Sequence, residues 1–201
     1  MRQPLLRTLA AACVFVSATA MAQGSGVTPQ AGSTGNVTTD SMRGASAAPT
    51  GKSQIARGDR KFIEDAAQGG HAEIEASKLA QQKSGNQDVK AFAAKMIEDH
   101  GKVGSELDSL ASSKGVTAPQ EPSTMQKGEI KALGALDGAK FDKMYASRIG
   151  VAAHESTVKK FREASRNAKD RDVKAFAAKH LPDLENHLQM ARDMKKKVDG
   201  K

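Results

Sequence analysis

The chain of 201 residues is poor in cysteine and aromatic side chains: it has one cysteine, no tryptophan, one tyrosine and six phenylalanines. The cysteine, Cys13, lies in an N-terminal apolar segment. The rest of the sequence therefore offers no disulfide, thiolate metal ligand or thiol nucleophile. Aromatic residues interleaved with basic ones, which are typical of nucleic-acid modules, are also missing, so we expect no nucleic acid as a partner.

The sequence also lacks an apolar run of the roughly 20 residues that a transmembrane helix needs. The longest run, residues 9–20, follows two arginines and precedes a small-x-small motif. This pattern is typical of a secretory signal peptide, so we predict a signal over residues 1–22. Cleavage between Ala22 and Gln23 would give a periplasmic or secreted protein, and a lipoprotein acylated at Cys13 is the alternative.

Large apolar residues are nearly absent from residues 23–57, which are rich in Gly, Ser, Thr, Ala and Pro. Such a segment buries too little surface to offset its ordering entropy, so we predict a disordered linker. Residues 58–198 then form one folded domain, a length that suits a single core.

Positive charge is in modest excess. The formal net charge is +8 and becomes +6 when Arg2 and Arg7 leave with the signal. The basic run Lys195–Lys197 could make weak contact with anionic components of the cell envelope, although most charge runs are simply solvated faces.

The most informative positive feature is an eight-residue repeat: Asp88–Lys95 and Asp172–Lys179 are both DVKAFAAK. Each copy follows an amphipathic stretch about one long helix in length. This pattern indicates a duplicated helical hairpin, and two such hairpins make a four-helix bundle. We therefore predict an all-α, up-down four-helix bundle, ferritin-like in class, with a short extra helix between helices 2 and 3.

Periodicity and stop signals place the helices. They predict a first helix over residues 59–83 with Asp59 as its N-cap, and a second that begins at residue 86 or 88 and ends at 114. The short helix is predicted over 123–136, the third long helix over 139–168, and the fourth from residue 170 or 172 to 197. Pro182 removes a backbone donor inside the last helix and predicts a kink or a restart beside His180.

The heptad phase of these helices determines which polar residues point inward. The apolar seams of helices 2 and 4 include His100, His180 and His187. In helix 3 the predicted seam runs through Met144, Ser147, Val151, His154, Val158 and Phe161, and helix 1 offers Glu73. Each long helix thus presents a potential ligand to the core.

Four segments of the chain resemble domain-of-unknown-function family 4142, a bacterial exported family with a ferritin-like fold. They occur in order with suitable helix lengths between them: Phe62 to Ala80, Val89 to His100, Phe141 to His154, and Leu181 to His187. The resemblance covers most of residues 59–195. It implies a bundle and export, and it implies no activity.

A ferritin-like fold raises the question of a di-iron centre, which uses Glu-x-x-His pairs. None of the histidines here has Glu three residues before it. A mononuclear site is more natural, with a zinc, copper or iron ion as cofactor. Its predicted ligands are Glu73, His100, His154 and His187, and the predicted carboxylates that would hold the outer imidazole nitrogens are Asp99, Glu155 and Asp183.

The alternative is that the inward histidines are ordinary core residues, each hydrogen-bonded to a carboxylate or a backbone carbonyl. The sequence also lacks a phosphate-binding glycine loop, a nucleophile elbow or another complete catalytic set. We therefore expect a non-enzymatic, envelope- or stress-associated binding or structural module that could form homo-oligomers, with metal binding as the alternative function.

Overall fold

The computed structural model describes residues 55–200. The predicted signal over residues 1–22 and nearly all of the predicted linker over residues 23–57 lie outside the described residues. Every regular element within 55–200 is helical, as the sequence predicts. None of these helices is both long and apolar enough to cross a membrane.

Six α-helices and one π-helical segment follow one another along the chain. They are α1 (Arg57–Lys83), α2 (Gln87–Ser113), α3 (Thr124–Gly134), α4 (Gly138–Met144), the π segment (Tyr145–Ala153), α5 (His154–Asn167) and α6 (Arg171–Asp199). The last three elements before α6 form one long composite helix, so the bundle has four long rods, with α3 as the predicted short extra helix.

Three of the six α-helices in residues 55–200 begin with a side-chain cap. The side chains of Asn86 and Asp170 accept hydrogen bonds from the first backbone amides of α2 and α6. Ser123 forms a capping box with Gln126 at the start of α3. These side chains satisfy amides that have no partner within their own helix.

The start of α1 differs from the prediction. Helix α1 begins at Arg57, and Ile55, inside the predicted linker, is already buried. Asp59 does not cap α1. Its carboxylate instead accepts hydrogen bonds from the backbone amides of Lys169 and Asp170, at 2.6–3.1 Å. The acid therefore fastens α1 to the turn between α5 and α6.

Ion pairs at both ends of the bundle show the relative direction of α2 and α6. Lys114 at the end of α2 lies 2.8 Å from Asp170 before α6, and Lys197 at the end of α6 lies 2.6 Å from Asp88 in α2. Helices α2 and α6 are therefore antiparallel. Because Asp59 holds the start of α1 at the α5–α6 turn, the chain between α2 and α4 must cross the length of the bundle. One long crossover of this kind is compatible with a ferritin-like bundle.

The core consists of two apolar clusters, one towards each end. The first contains residues from the start of α1, the end of α2, α5 and the start of α6, including Phe62, Phe161 and Phe176. The second contains residues from the end of α1, the start of α2, α4, the π segment and the end of α6, including Tyr145 and Met194. Four buried polar residues fall between these groups along their helices.

Pro182 does not interrupt α6, which is continuous from Arg171 to Asp199. The predicted restart is therefore wrong. The irregular backbone occurs instead in the third rod, where the nine residues of the π segment separate α4 from α5. Gly150 in this segment allows α6 to come close, because a Cβ atom there would lie 3.3 Å from Ala191 Cβ and 3.1 Å from Met194 Cε.

Candidate metal centre

Each of the four rods contributes one buried polar side chain to a layer between the two apolar clusters. Glu73 comes from α1, His100 from α2, His154 from the first position of α5 and His187 from α6. Their exposed fractions are 3%, 5%, 0% and 3%. These are the four residues that the sequence analysis selected as ligands, and the fold brings all four to one level of the bundle.

The three histidines surround a common point. One ring nitrogen from each lies within 4.8 Å of the corresponding nitrogen of the other two. Glu73 approaches from the side of His100 and His154, with its Oε2 atom 2.6 Å from His100 Nε2 and 3.6 Å from His154 Nε2. Three imidazoles and a carboxylate form a donor set that suits zinc and other borderline transition metals.

The atoms that face the centre are poorly satisfied by the protein. Among the described residues, Glu73 Oε2, His100 Nε2, His154 Nε2 and His187 Nδ1 are buried without a hydrogen bond of acceptable geometry. Glu73 Oε2 and His100 Nε2 lie 2.6 Å apart, so these two atoms form a buried ion pair when His100 is protonated. A buried polar atom without a partner costs about 1–3 kcal/mol. One cation coordinated by all four atoms would satisfy them together.

Two of the histidines are oriented by hydrogen bonds from the ring nitrogen that faces away from the centre. His187 Nε2 donates to Asp99 Oδ2 at 2.8 Å, which leaves the Nδ1 lone pair facing the centre. Asp99 is itself held by Lys95 at 2.7 Å. His154 Nδ1 donates to the backbone carbonyl of Ile149 at 3.2 Å, which leaves its Nε2 lone pair facing the centre. Such outer hydrogen bonds fix the tautomer of metal-binding histidines.

The ionisable groups of the layer shift one another's pKa values. Burial alone would raise the pKa of Glu73, but electrostatic interaction with the adjacent His154 and His100 rings lowers it to about 2. Burial disfavours the charged form of His100, and the adjacent Glu73 carboxylate outweighs this effect and raises the pKa of His100. Burial lowers the pKa of His187, and His100 and His154 add to that effect. Glu73 is therefore ionised and available as an anionic ligand.

The structure places one of the three predicted outer carboxylates beside a histidine of the layer. Asp99 contacts His187, whereas Glu155 is exposed and pairs with Arg192 at 2.9 Å, and Asp183 is exposed. The acids at positions 155 and 183 are exposed because their positions lie beside the buried seam of their helices and not within it. Within residues 55–200, Glu73 is thus the single carboxylate in the layer, and the paired carboxylates of a di-iron site are not assembled.

The fourth inward histidine, His180, belongs to a different environment. Its Nε2 lies 2.9 Å from Glu106 Oε2, and its ring packs against Phe176 with a centroid distance of 4.6 Å. His180 is a hydrogen-bonded core histidine of the kind that the alternative interpretation described. His180 therefore lies outside the layer formed by Glu73, His100, His154 and His187.

The sequence analysis missed the π segment and the carbonyl of Ile149 that orients His154. It also missed a buried hydrogen bond of 2.8 Å between Ser77 Oγ and Tyr145 Oη next to the layer. The backbone groups leave no signal in an apolar pattern. Tyr145 had one available signal, because a tyrosine on a buried face usually needs a polar partner.

Comparison with solved structures shows the same fold at low sequence identity. A DUF305 fragment from Deinococcus radiodurans is 12% identical, with a TM-score of 0.61, covering 73% of this chain and 99% of its own. A DUF305 protein from Streptomyces coelicolor, which its name describes as secreted, is 15% identical with a TM-score of 0.58, covering 71% and 94%. The hypothetical protein Rv2844 from Mycobacterium tuberculosis is 19% identical with a TM-score of 0.53, covering 69% and 90%.

These similarities extend to the fold alone. No curated protein matches the sequence. The sequence profile of DUF4142, a domain of unknown function, matches residues 44–194, which include all four residues of the polar layer. The chain therefore belongs to the DUF4142 family.

Proposed function

We propose that this protein binds one transition-metal ion through Glu73, His100, His154 and His187. Two observations carry the proposal. Ring nitrogens of three buried histidines lie within 4.8 Å of one another, and the buried Glu73 Oε2 atom lies beside two of those histidines. Three neutral imidazoles and one carboxylate favour zinc, copper or iron over magnesium or calcium, which prefer oxygen donors. A single carboxylate favours a mononuclear site.

We further propose that the protein works outside the cytoplasm and without catalytic side chains of its own. Support comes from the predicted signal over residues 1–22 and the predicted linker over 23–57, which would tether the domain 58–198. The secreted description of the relative from Streptomyces coelicolor agrees with export. A metal-binding protein of the envelope would sequester, carry or sense its ion.

The first experiment is elemental analysis of the mature protein isolated from the periplasm without a tag or chelator. We expect close to one zinc, copper or iron ion per chain, and loss of that ion in the double variant His100→Ala/His187→Ala. The matched control is His180→Ala, which removes a buried histidine hydrogen-bonded to Glu106 and should leave the metal content unchanged.

A metal-free protein that gains no thermal stability from added zinc, copper or iron would overturn the proposal, because a ligand that binds the folded state stabilises it. The layer would then be a buried ion pair of Glu73 and His100 within a structural module. Equal loss of metal in the His180 variant would indicate a general folding defect rather than a site.

A further inference from the structure

Two hollows flank α1 at the level of the polar layer, and Glu73 lines both. The larger is a cleft of about 340 Å³ between α1, α3, the π segment and α5. The smaller, about 40 Å³, lies between α1 and α2 and also reaches His100. A buried carboxylate with an unsatisfied oxygen therefore forms part of the wall of a cleft large enough for a small molecule.

Adjacent glycines in the middle of α1 help to create these hollows. Gly69 lines the cleft and Gly70 lines the smaller hollow. A Cβ atom at either position would meet no heavy atom within 4 Å, so close packing does not require glycine there. Each glycine inside a helix costs roughly 0.5–1 kcal/mol relative to alanine. The glycines thus carry a cost in stability and leave open the path towards Glu73.

The rim of the cleft carries no excess of either charge among its paired side chains. Lys160 lies 3.2 Å from Asp65, and Arg148 lies 3.0 Å from Glu129. Because each pair contains one positive and one negative side chain, the pairs repel neither an anion nor a cation at the entrance. Selection by charge therefore depends on the centre itself.

The charge of a loaded centre would favour an anion. A divalent ion with Glu73 as its single anionic ligand has a net charge of +1, and the outer carboxylate of Asp99 is already offset by Lys95. An uncompensated charge in a buried layer is costly unless it is paired. A monoanion that coordinates the ion would neutralise it.

We propose that the cleft beside Gly69 admits a small monoanion, of the size of hydroxide, azide or a peroxide anion, to a coordination position on the metal next to Glu73. This inference rests on the proposed metal site and specifies what that site binds besides the ion. The cleft is lined next to Glu73 by the small side chains of Ala72, Ala152 and Ala153, and the hydroxyl-bearing Ser156 and Thr157 also line it.

Azide binding to the cobalt-loaded protein tests the passage, because Co²⁺ reports ligand exchange in its visible spectrum. We expect azide to change the spectrum of the wild-type protein with a saturable dependence on concentration. In Gly69→Leu, which places a side chain in the cleft, the azide Kd should rise at least about tenfold with the cobalt stoichiometry unchanged. Ala152→Leu fills the cleft from the opposite wall and should act in the same direction.

The matched control is Gly128→Leu, a glycine inside α3 that lines neither hollow and has open space around its Cβ position. It should bind azide like the wild type. Cobalt binding without any azide response, or an unchanged azide Kd in both cleft variants, would overturn the proposal that the cleft admits an anion. Either result would leave the proposed metal site intact. Failure of the wild type to bind any metal would instead overturn the proposed function itself.

Discussion

Asp99 Oδ2 accepts a hydrogen bond of 2.8 Å from His187 Nε2, across the interface between α2 and α6. The two residues lie 88 positions apart in sequence, yet the acid determines which nitrogen of the imidazole faces the polar layer. Asp99 also pairs with Lys95 one turn earlier in α2, which holds the carboxylate in place. The orientation of a proposed ligand on one hairpin thus depends on the other hairpin.

The first prediction concerns this orienting pair. Asp99→Asn should weaken metal binding by about 10–100-fold while preserving a stoichiometry of one, because the outer partner that fixes the His187 tautomer becomes a neutral amide. Competition titration against a chelator of known affinity measures the change. Asp183→Asn, an exposed acid four residues before His187, is the control and should bind like the wild type. Equal affinities in all three proteins would contradict the role of Asp99.

A second prediction concerns protons released on metal binding. Glu73 raises the pKa of His100 above its ordinary value of 6.5, so metal-free protein near that pH holds a proton on His100. The stability from this proton is fully present below pH 6.5 and is lost as the pH rises through the raised pKa. A metal must displace the proton, so its affinity should increase over the same range and then level off.

Calorimetry at pH 6.5 in two buffers with different ionisation enthalpies measures this release. We expect close to one proton per ion from His100. Binding enthalpies that are independent of the buffer would show that the ligands were already deprotonated.

The third prediction concerns acid stability without metal. The lowered pKa of Glu73, about 2 against an ordinary 4.5, means that its carboxylate favours the folded state above pH 4.5. This contribution falls progressively between pH 4.5 and 2, and the shift corresponds to a free energy on the order of 3 kcal/mol. Urea denaturation of metal-free wild type and Glu73→Gln should show a gap in unfolding free energy at about pH 6, where His100 still holds its proton, and this gap should close near pH 2. A gap of constant size would contradict the assignment of this titration to Glu73.

A fourth prediction separates stability from the metal layer. Asp59→Ala removes the acceptor for the amides of Lys169 and Asp170 and should lower the free energy of unfolding by about 3 kcal/mol, since hydrogen bonds to charged groups are worth about 1.5–3 kcal/mol each. Metal affinity should stay within about twofold, because the contact is at the end of the bundle. Asp172→Ala removes an exposed ion pair with Lys114 at the same end and should cost about 1 kcal/mol or less.

The sequence predicts the helices and the inward residues of α2 and α6 well, because their apolar residues follow regular steps of three and four. The same reasoning is wrong for the third rod before His154. Met144, predicted to face the core, is 43% exposed, while Tyr145 and Ile149 are buried. The wider turn of the π segment shifts the helical phase, and this phase returns to the predicted seam only at His154.

The common level of the four polar residues could not be read from any single helix. It depends on the lengths of two hairpin turns and of one crossover, which together set how far each rod slides past its neighbours. The separate environment of His180 has the same origin. Its neighbour Glu106 lies 74 positions away on α2, and periodicity places both residues on helices without indicating which pairs meet.

The four proposed ligands are divided equally between the two hairpins: α1 and α2 supply Glu73 and His100, and the second hairpin supplies His154 and His187. Neither hairpin alone holds enough donors to retain an ion. Metal binding would therefore join the two halves of a duplicated fold into one cooperative unit, and amide hydrogen exchange would slow throughout both hairpins rather than around the ion alone. Removing the metal would return to each hairpin some freedom to open independently.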